Sequence, residues 1–213
     1  MRLYLSSFHN GNQPAELLTM LKGKTRTALI MNAVDFNSEE ERRQKTAEEK
    51  TRLETLGLHV TEVDLRDYFN KSELLTAELS NYDLLWVRGG NTFILRRAFK
   101  QSGADSIVKS LLENDGIVYG GYSAGIDLLV GSLHGIELVD DPNVVPEGYE
   151  ETIPWEGLGI LPYSVNAHYK SDHPESADID KSIEYMINHH IPFIALRDGE
   201  AIVINGTYQK VVR

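Results

Sequence analysis

No cysteine occurs in the 213 residues. Thiol catalysis, thiolate metal sites and a disulfide framework are therefore excluded, and a reducing compartment suits such a chain. Cationic charge is also scarce: 21 Lys and Arg stand against 32 Asp and Glu, a formal charge of −11. That field repels a nucleic-acid backbone, and no basic stripe with interleaved aromatics overrides it, so no nucleic-acid partner is expected. No apolar run approaches a membrane span, and the opening Met1-Arg2-Leu3-Tyr4-Leu5-Ser6 turns polar too soon for a secretory segment. A cytoplasmic protein without membrane contact is expected. Repeats, low-complexity tracts and linkers are missing too, so residues 1–213 read as a single domain, long enough to bury a core without staples.

What is present is alternation. Leu3 to Leu5, Ala28 to Met31, Val60 to Leu65, Asp83 to Val87 and Gly116 to Tyr119 read as strands. Between them, helices are expected from Pro14 to about Leu21, from Ser38-Glu39-Glu40-Glu41 (an N-cap with its capping glutamate) to about Leu56, from Ser72 to Ser80, and from Thr92 to Asn114 with a break at Gly103. This spacing predicts an α/β fold with a mostly parallel sheet and helices on both faces, whose functional loops gather at the carboxyl ends of the strands. Residues 137–159 are rich in Pro, Gly and acids and are expected to wrap the surface near those loops. Tyr163 to Tyr169 alternates briefly, as a strand of the same sheet. Residues 175–188 form an amphipathic helix with Ile179, Ile183, Met186 and Ile187 as its stripe. The tail reads as three strands joined by hairpin turns at Asp198-Gly199 and Asn205-Gly206.

Two loops carry chemistry. Gly121-Tyr122-Ser123-Ala124-Gly125 lies on a strand-to-helix turn and has the G-x-S-x-G spelling of a nucleophile elbow, in which a sharp bend exposes the serine oxygen beside helix N-terminal amides. Gly, Ser and Ala also fill tight turns for steric reasons, so the pentad alone does not decide. Arg88-Gly89-Gly90-Asn91-Thr92 follows a buried strand, and its glycines allow backbone N–H groups to point outward as half of an oxyanion hole. Judged alone, this loop is better explained as a plain turn.

A serine hydroxyl needs a base within reach and an acid to orient that base. Of seven histidines, His9, His59, His134, His189 and His190 sit where structural roles explain them. His168, at the end of its short strand, is favoured as the base over His173 in the polar loop that follows. Asp198 and Glu200 are both candidates for the acid. His168, Asp172, His173, Glu175, Asp178 and Asp180 cluster in sequence, but without H-E-x-x-H or another specific ligand spacing, so no metal is expected.

Taken in order, Gly89-Gly90-Asn91-Thr92-Phe93, Gly121 to Gly125, Asn166-Ala167-His168-Tyr169 and Leu196-Arg197-Asp198-Gly199 resemble the dipeptidase E (aspartyl dipeptidase) family of serine peptidases, relatives of cyanophycinase. The resemblance implies a three-layer fold like that of class I glutamine amidotransferases, ending in hairpin strands. It implies Ser123 as nucleophile, His168 as base and Asp198 as the third member with Glu200 in reserve, since relatives carry glutamate in that turn. Backbone N–H groups of Gly90 and Ala124 would form the oxyanion hole, and no cofactor is needed. The implied reaction is hydrolysis of the peptide bond after the N-terminal residue of a short peptide, Asp-X or broader. The arginine that aspartate-specific relatives carry after the histidine region is absent here. Asn91, Lys170, His173 and Arg197 are the residues expected to hold substrate. A cyanophycinase-like exopeptidase acting on β-aspartyl peptides and a non-catalytic binding relative are the alternatives. The order Ser, His, acid separates the chain from α/β-hydrolases.

Overall fold

The computed structural model describes residues 1–213. Its first half alternates strand and helix as the periodicity requires: β1 (Arg2–Ser6), α1 (Pro14–Leu21), β2 (Arg26–Ile30), α2 (Glu39–Glu54), β3 (His59–Glu62), α3 (Ser72–Leu79), β4 (Leu84–Val87), α4 (Thr92–Ser102), α5 (Ala104–Glu113) and β5 (Val118–Tyr122). Local chemistry sets the boundaries. Pro14 opens α1, and Lys22 closes it in the left-handed region. Ser38 and Glu41 form the expected capping box on α2, with Glu41 N–H on Ser38 Oγ at 3.3 Å and Ser38 N–H on Glu41 Oε2 at 3.1 Å. Strand β3 stops earlier than its alternation suggests, because the Asp64 carboxylate accepts the Arg66 N–H at 3.0 Å and turns the chain.

Seven strands form one sheet in the order β3-β2-β4-β5-β1-β8-β9, where β8 is Ala201–Asn205 and β9 is Tyr208–Val212. The first five are parallel; β8 runs antiparallel to β1, and β9 to β8. Successive residues of a strand face opposite sides, so the sheet supplies two cores. Tyr4, Leu29 and Trp86 pack with Leu17, Met20 and Leu21 of α1 and Leu53 of α2. Leu3, Leu5, Ala28 and Leu85 pack on the other face with Leu75, Phe93, Val108 and Met186 from the remaining helices. Helix α2 is unusual in burying Arg42, Thr46 and Glu49 alongside Leu53. Arg42 meets the carboxylates of Asp35, Glu62 and Asp64 at 2.6, 2.7 and 3.2 Å, which is how a buried charge is tolerated.

The second half departs from the expectation in three places. Strand β6 (Ser164–Asn166) does not join the main sheet; it pairs in parallel with β7 (Phe193–Ala195) in a separate two-stranded sheet. Asp198-Gly199 is consequently not a hairpin turn, since β7 and β8 belong to different sheets; only Asn205-Gly206 joins paired neighbours. In α7 (Ser176–Asn188), Ile179 and Met186 are buried but Ile187 is exposed. The acidic stretch after the short helix α6 (Ala124–Asp127) is held down by the buried Arg97 of α4, whose guanidinium donates to the Pro142, Val144 and Glu151 carbonyls at 2.9, 3.5 and 3.3 Å. No helix is long and apolar enough to cross a membrane.

Candidate active site

The carboxyl ends of the parallel strands converge. Strands β4 and β5 are neighbours in register, Val87 opposite Gly121, so Arg88-Gly89-Gly90 lies directly beside Ser123. Strand β1 flanks β5 on its other side and delivers Ser7 and Phe8 to the same edge. Ser123 has φ 51° and ψ −121°, a conformation a non-glycine residue adopts only when its surroundings impose it. The constraint is visible: a Cβ on Gly125 would sit 2.3 Å from the Val87 carbonyl oxygen, so only glycine lets the chain double back there. Tyr122 is anchored by its hydroxyl, which donates to Glu49 at 3.0 Å, and Tyr119 donates to the Gly125 carbonyl at 2.5 Å. Ser123 itself is half-buried, and its Oγ has no partner within the protein.

Histidine and acid arrive from the small sheet. Tyr169 N–H bonds the Leu196 carbonyl and Leu196 N–H the Asn166 carbonyl, both at 2.9 Å, so the parallel pairing continues past the strand ends and sets His168 against Asp198. His168 Nδ1 meets Asp198 Oδ1 at 2.8 Å, and the ring is 2% exposed. Donation from Nδ1–H leaves the Nε2 lone pair free to accept a proton. Burial pushes the His168 pKa below its usual 6.5; Asp198 acts in the opposite direction, and neighbouring His173 adds to the lowering. His173 stacks on His168 with centroids 3.6 Å apart and planes 8° from parallel. Phe8 contacts both rings edge-on at 5.4 and 5.3 Å.

Ser123 and His168 share a cleft of about 310 Å³ with Phe8, Phe36, Lys45, Arg88, Gly89, Gly90, His173 and Glu175 among its walls. A dipeptide fits such a volume. Larger hollows of about 470 and 590 Å³ lie elsewhere, lined by Met1, Lys109 and Leu158 or by the 143–153 loop, and neither contains Ser123 or a histidine. The N–H groups of Gly90 and Ala124 have no acceptor inside the protein. Gly90 has φ 145°, and a Cβ there would lie 2.4 Å from the Ala33 carbonyl oxygen.

Of the residues expected to hold substrate, only His173 lines this cleft. Asn91 caps α4: its Oδ1 accepts from Phe93 and Ile94 N–H at 3.0 Å each, and its Nδ2 donates to the Asp141 carbonyl. Its side chain is spent on the helix end. Lys170 is exposed, with its ammonium 5.1 Å from the Tyr169 ring centroid. Arg197 lines a separate depression with Tyr169, Glu200 and Arg213. Glu200 is likewise away from His168, since its Oε2 accepts the Arg197 N–H and its Oε1 pairs with Arg213, both at 2.9 Å.

The cleft's cations are residues the sequence reading passed over. Arg88 was readable beside Gly89-Gly90, whereas Lys45 lies in a helix charged on nearly every face and gave no signal. Arg88 Nη1 donates to the Gly89 carbonyl at 2.6 Å, and its Nε is buried without a partner. Lys45 Nζ has only a 3.4 Å contact with Asn37. Opposite in charge is Glu175, with Oε2 4.0 Å from His168 Nε2 and 3.8 Å from His173 Nδ1; burial, then Asp178 and Asp198, raise its pKa. His168, His173 and Glu175 place three possible metal-ligand atoms within 4.8 Å of one another. The two rings are stacked, however, so their in-plane lone pairs run side by side and do not converge on one ion at the ~2 Å that imidazole ligation needs.

Comparison with known proteins agrees with this architecture. A Drosophila melanogaster protein described as a probable alpha-aspartyl dipeptidase is 28% identical over 57% of this chain and 50% of its own length. Peptidase E of Streptomyces coelicolor is 29% identical over 68% of this chain and 57% of its own. The chain thus spans about half the length of these curated relatives. The crystal structure of a peptidase E-type protein from Listeria monocytogenes EGD-e superposes with a TM-score of 0.77 at 25% identity, covering 100% of this chain and 98% of that one. The model of peptidase family S51 matches residues 7–212, from the end of β1 through β9 and so across every loop of the cleft, and the chain belongs to that family.

Proposed function

We propose that this protein is a serine dipeptidase that cleaves the bond after an N-terminal acidic residue. The observation that carries the reading is that His168, paired with Asp198 at 2.8 Å, shares one cleft with an unbonded, half-buried Ser123. Ser123 Oγ attacks the scissile carbonyl carbon while His168 Nε2 takes the hydroxyl proton, and Asp198 stabilises the resulting imidazolium. The free N–H groups of Gly90 and Ala124 receive the oxyanion. Collapse breaks the C–N bond, the leaving amine takes the proton from Nε2, and water attacks the acyl-enzyme by the reverse sequence.

Charge in the cleft suits a short zwitterionic peptide with an extra carboxylate. Glu175 is the acid available to an α-ammonium, and Arg88 and Lys45 are the cations available to carboxylates. The alpha-aspartyl dipeptidase name of one relative is in keeping with this, with the counter-charge here drawn from the β4 loop and α2.

The test is a panel of Asp-X, Ala-X, Gly-X, Met-X and β-Asp-X dipeptides, followed by amine release, with Ser123→Ala as control. Cleavage of Asp-X, abolished in the variant, is expected. Equal turnover by Ser123→Ala, or no cleavage of any peptide by either protein, overturns the proposal.

A further inference from the structure

We propose that Ser7, at the end of β1, is a positioning residue that locks the His168–Asp198 pair into its working geometry. This rests on the acyl-transfer reading of the site. Ser7 is fully buried. Its Oγ lies 2.8 Å from Asp198 Oδ1 and accepts the His168 backbone N–H, also at 2.8 Å. A second acceptor, the Leu196 carbonyl, is farther away at 3.3 Å. One hydroxyl has one proton to give, and the nearer, charged oxygen takes it.

The result is a closed ring of hydrogen bonds. The His168 backbone N–H donates to Ser7 Oγ, Ser7 O–H donates to Asp198 Oδ1, and that same oxygen accepts from His168 Nδ1. The imidazole is thereby tied to its own main chain through two other residues. The tie has something to hold, because His168 has φ 59°, a left-handed conformation that costs a non-glycine residue energy unless its surroundings enforce it. The ring is anchored to the framework as well: Ser7 N–H bonds the Glu200 carbonyl at 2.9 Å, and Asp198 N–H bonds Ser171 Oγ at 2.8 Å. Serine is the side chain this position requires, since the hydroxyl must accept and donate at once in a buried place. Alanine leaves the His168 N–H without an acceptor and takes from Oδ1 the donor that shares its charge.

The test compares wild type, Ser7→Ala and Ser7→Thr in two ways. The first is steady-state kinetics on the preferred dipeptide. The second, independent of turnover, is an NMR titration of the His168 ring in a Ser123→Ala background. In Ser7→Ala, kcat falls about tenfold to a hundredfold from misplacement of the base while KM moves less than roughly twofold. The His168 titration moves upward, because a carboxylate relieved of one donor bears more fully on the imidazolium. The ring's charged and titratable neighbours, His9, His173, Glu175 and Asp198, are the same in all three proteins, so the shift reads Ser7 alone. Ser7→Thr keeps the hydroxyl and restores both readouts. If Ser7→Ala does not fold, Ser7→Cys, of similar shape but a weak hydrogen-bonding group, takes its place. An unmoved titration overturns the proposal, as do equal losses in the alanine and threonine variants that merely follow reduced thermal stability. Should no peptide be cleaved, the NMR arm still decides about Ser7 while the dipeptidase reading fails separately.

Discussion

Asp198→Asn separates the two acids that the sequence leaves open. In the proposed mechanism, attack by Ser123 makes His168 an imidazolium, and its Nδ1 lies 2.8 Å from Asp198 Oδ1. Two unit charges centred roughly 4 Å apart in an effective dielectric of about 20 attract by about 4 kcal/mol. An asparagine carbonyl in the same place recovers about 1 kcal/mol as a neutral hydrogen bond, leaving about 3 kcal/mol of lost transition-state stabilisation. At one decade per 1.36 kcal/mol, kcat/KM falls by on the order of a hundredfold. If the amide turns its NH2 toward Nδ1 instead, the ring is forced into the tautomer with Nε2 protonated, and the loss grows toward about 10⁴. Ser7, as a donor to this position, favours the carbonyl orientation and hence the smaller figure. The assay is kcat/KM on the preferred dipeptide, with thermal melting to confirm folding and Glu200→Gln as the parallel variant. Glu200 is held by Arg197 N–H and Arg213, so its variant should stay within roughly threefold of wild type. A loss under about fivefold in Asp198→Asn, or a matching collapse in Glu200→Gln, would refute the assignment.

Three further outcomes follow from the same geometry. Because His168 must be neutral to accept a proton and burial lowers its pKa, the acidic limb of kcat/KM should have its midpoint below pH 6.5; a midpoint above 7 would assign the limb to another group. Arg88→Met should raise KM for Asp-X about tenfold or more and leave Ala-X nearly unchanged, and equal effects on both peptides would remove Arg88 from carboxylate recognition. Asp140 accepts from Thr92 N–H at 2.8 Å, and its pKa is raised to about 7 from 3.8, chiefly by burial. A raised acid binds protons more tightly folded than unfolded, so its penalty is absent below pH 3.8, grows as pH rises and is complete above about 7. That penalty is on the order of 4 kcal/mol if unscreened and about 2 kcal/mol with the solvent Asp140 still meets. Asp140→Asn keeps the acceptor and should therefore raise stability toward denaturant at pH 8 but not at pH 4; an effect independent of pH would contradict this.

The parallel sheet was legible because each strand and helix of the first half announces itself over a few residues, as with Pro14 opening α1 or Ser38 and Glu41 capping α2. The second half was less so, for a reason visible at Asp198-Gly199. An Asp-Gly pair between two apolar runs has the same turn chemistry whether the chain folds back into a hairpin or leaves one sheet for another. What distinguishes the cases is partner choice, β7 on β6 and β8 on β1, and that is a property of residues some 30 and 200 positions apart. The consequence reaches the site. Asp198 and Glu200 are two residues apart and chemically alike, and only the parallel pairing of β6 with β7, carried on through Tyr169 and Leu196, turns one toward His168 and the other toward Arg213.

The contrast between the proposed catalytic constellation and the charges around it has a physical basis. Proton transfer and oxyanion binding tolerate errors of about half an ångström, so these groups sit on strained turns at strand ends, where glycine and serine must appear in a fixed order. Ser123 between Gly121 and Gly125 is such a case, and its motif is therefore local and readable. Counter-charge obeys a softer law. Attraction falls only as the inverse of distance, and a lysine or arginine side chain spans several ångströms with many rotamers, so any element bordering the cleft can provide it. No arginine stands beside His173, while Arg88 approaches from the end of β4 and Lys45 from α2. Recognition of this kind leaves no motif, and the prediction for Arg88→Met tests it where the sequence alone could not.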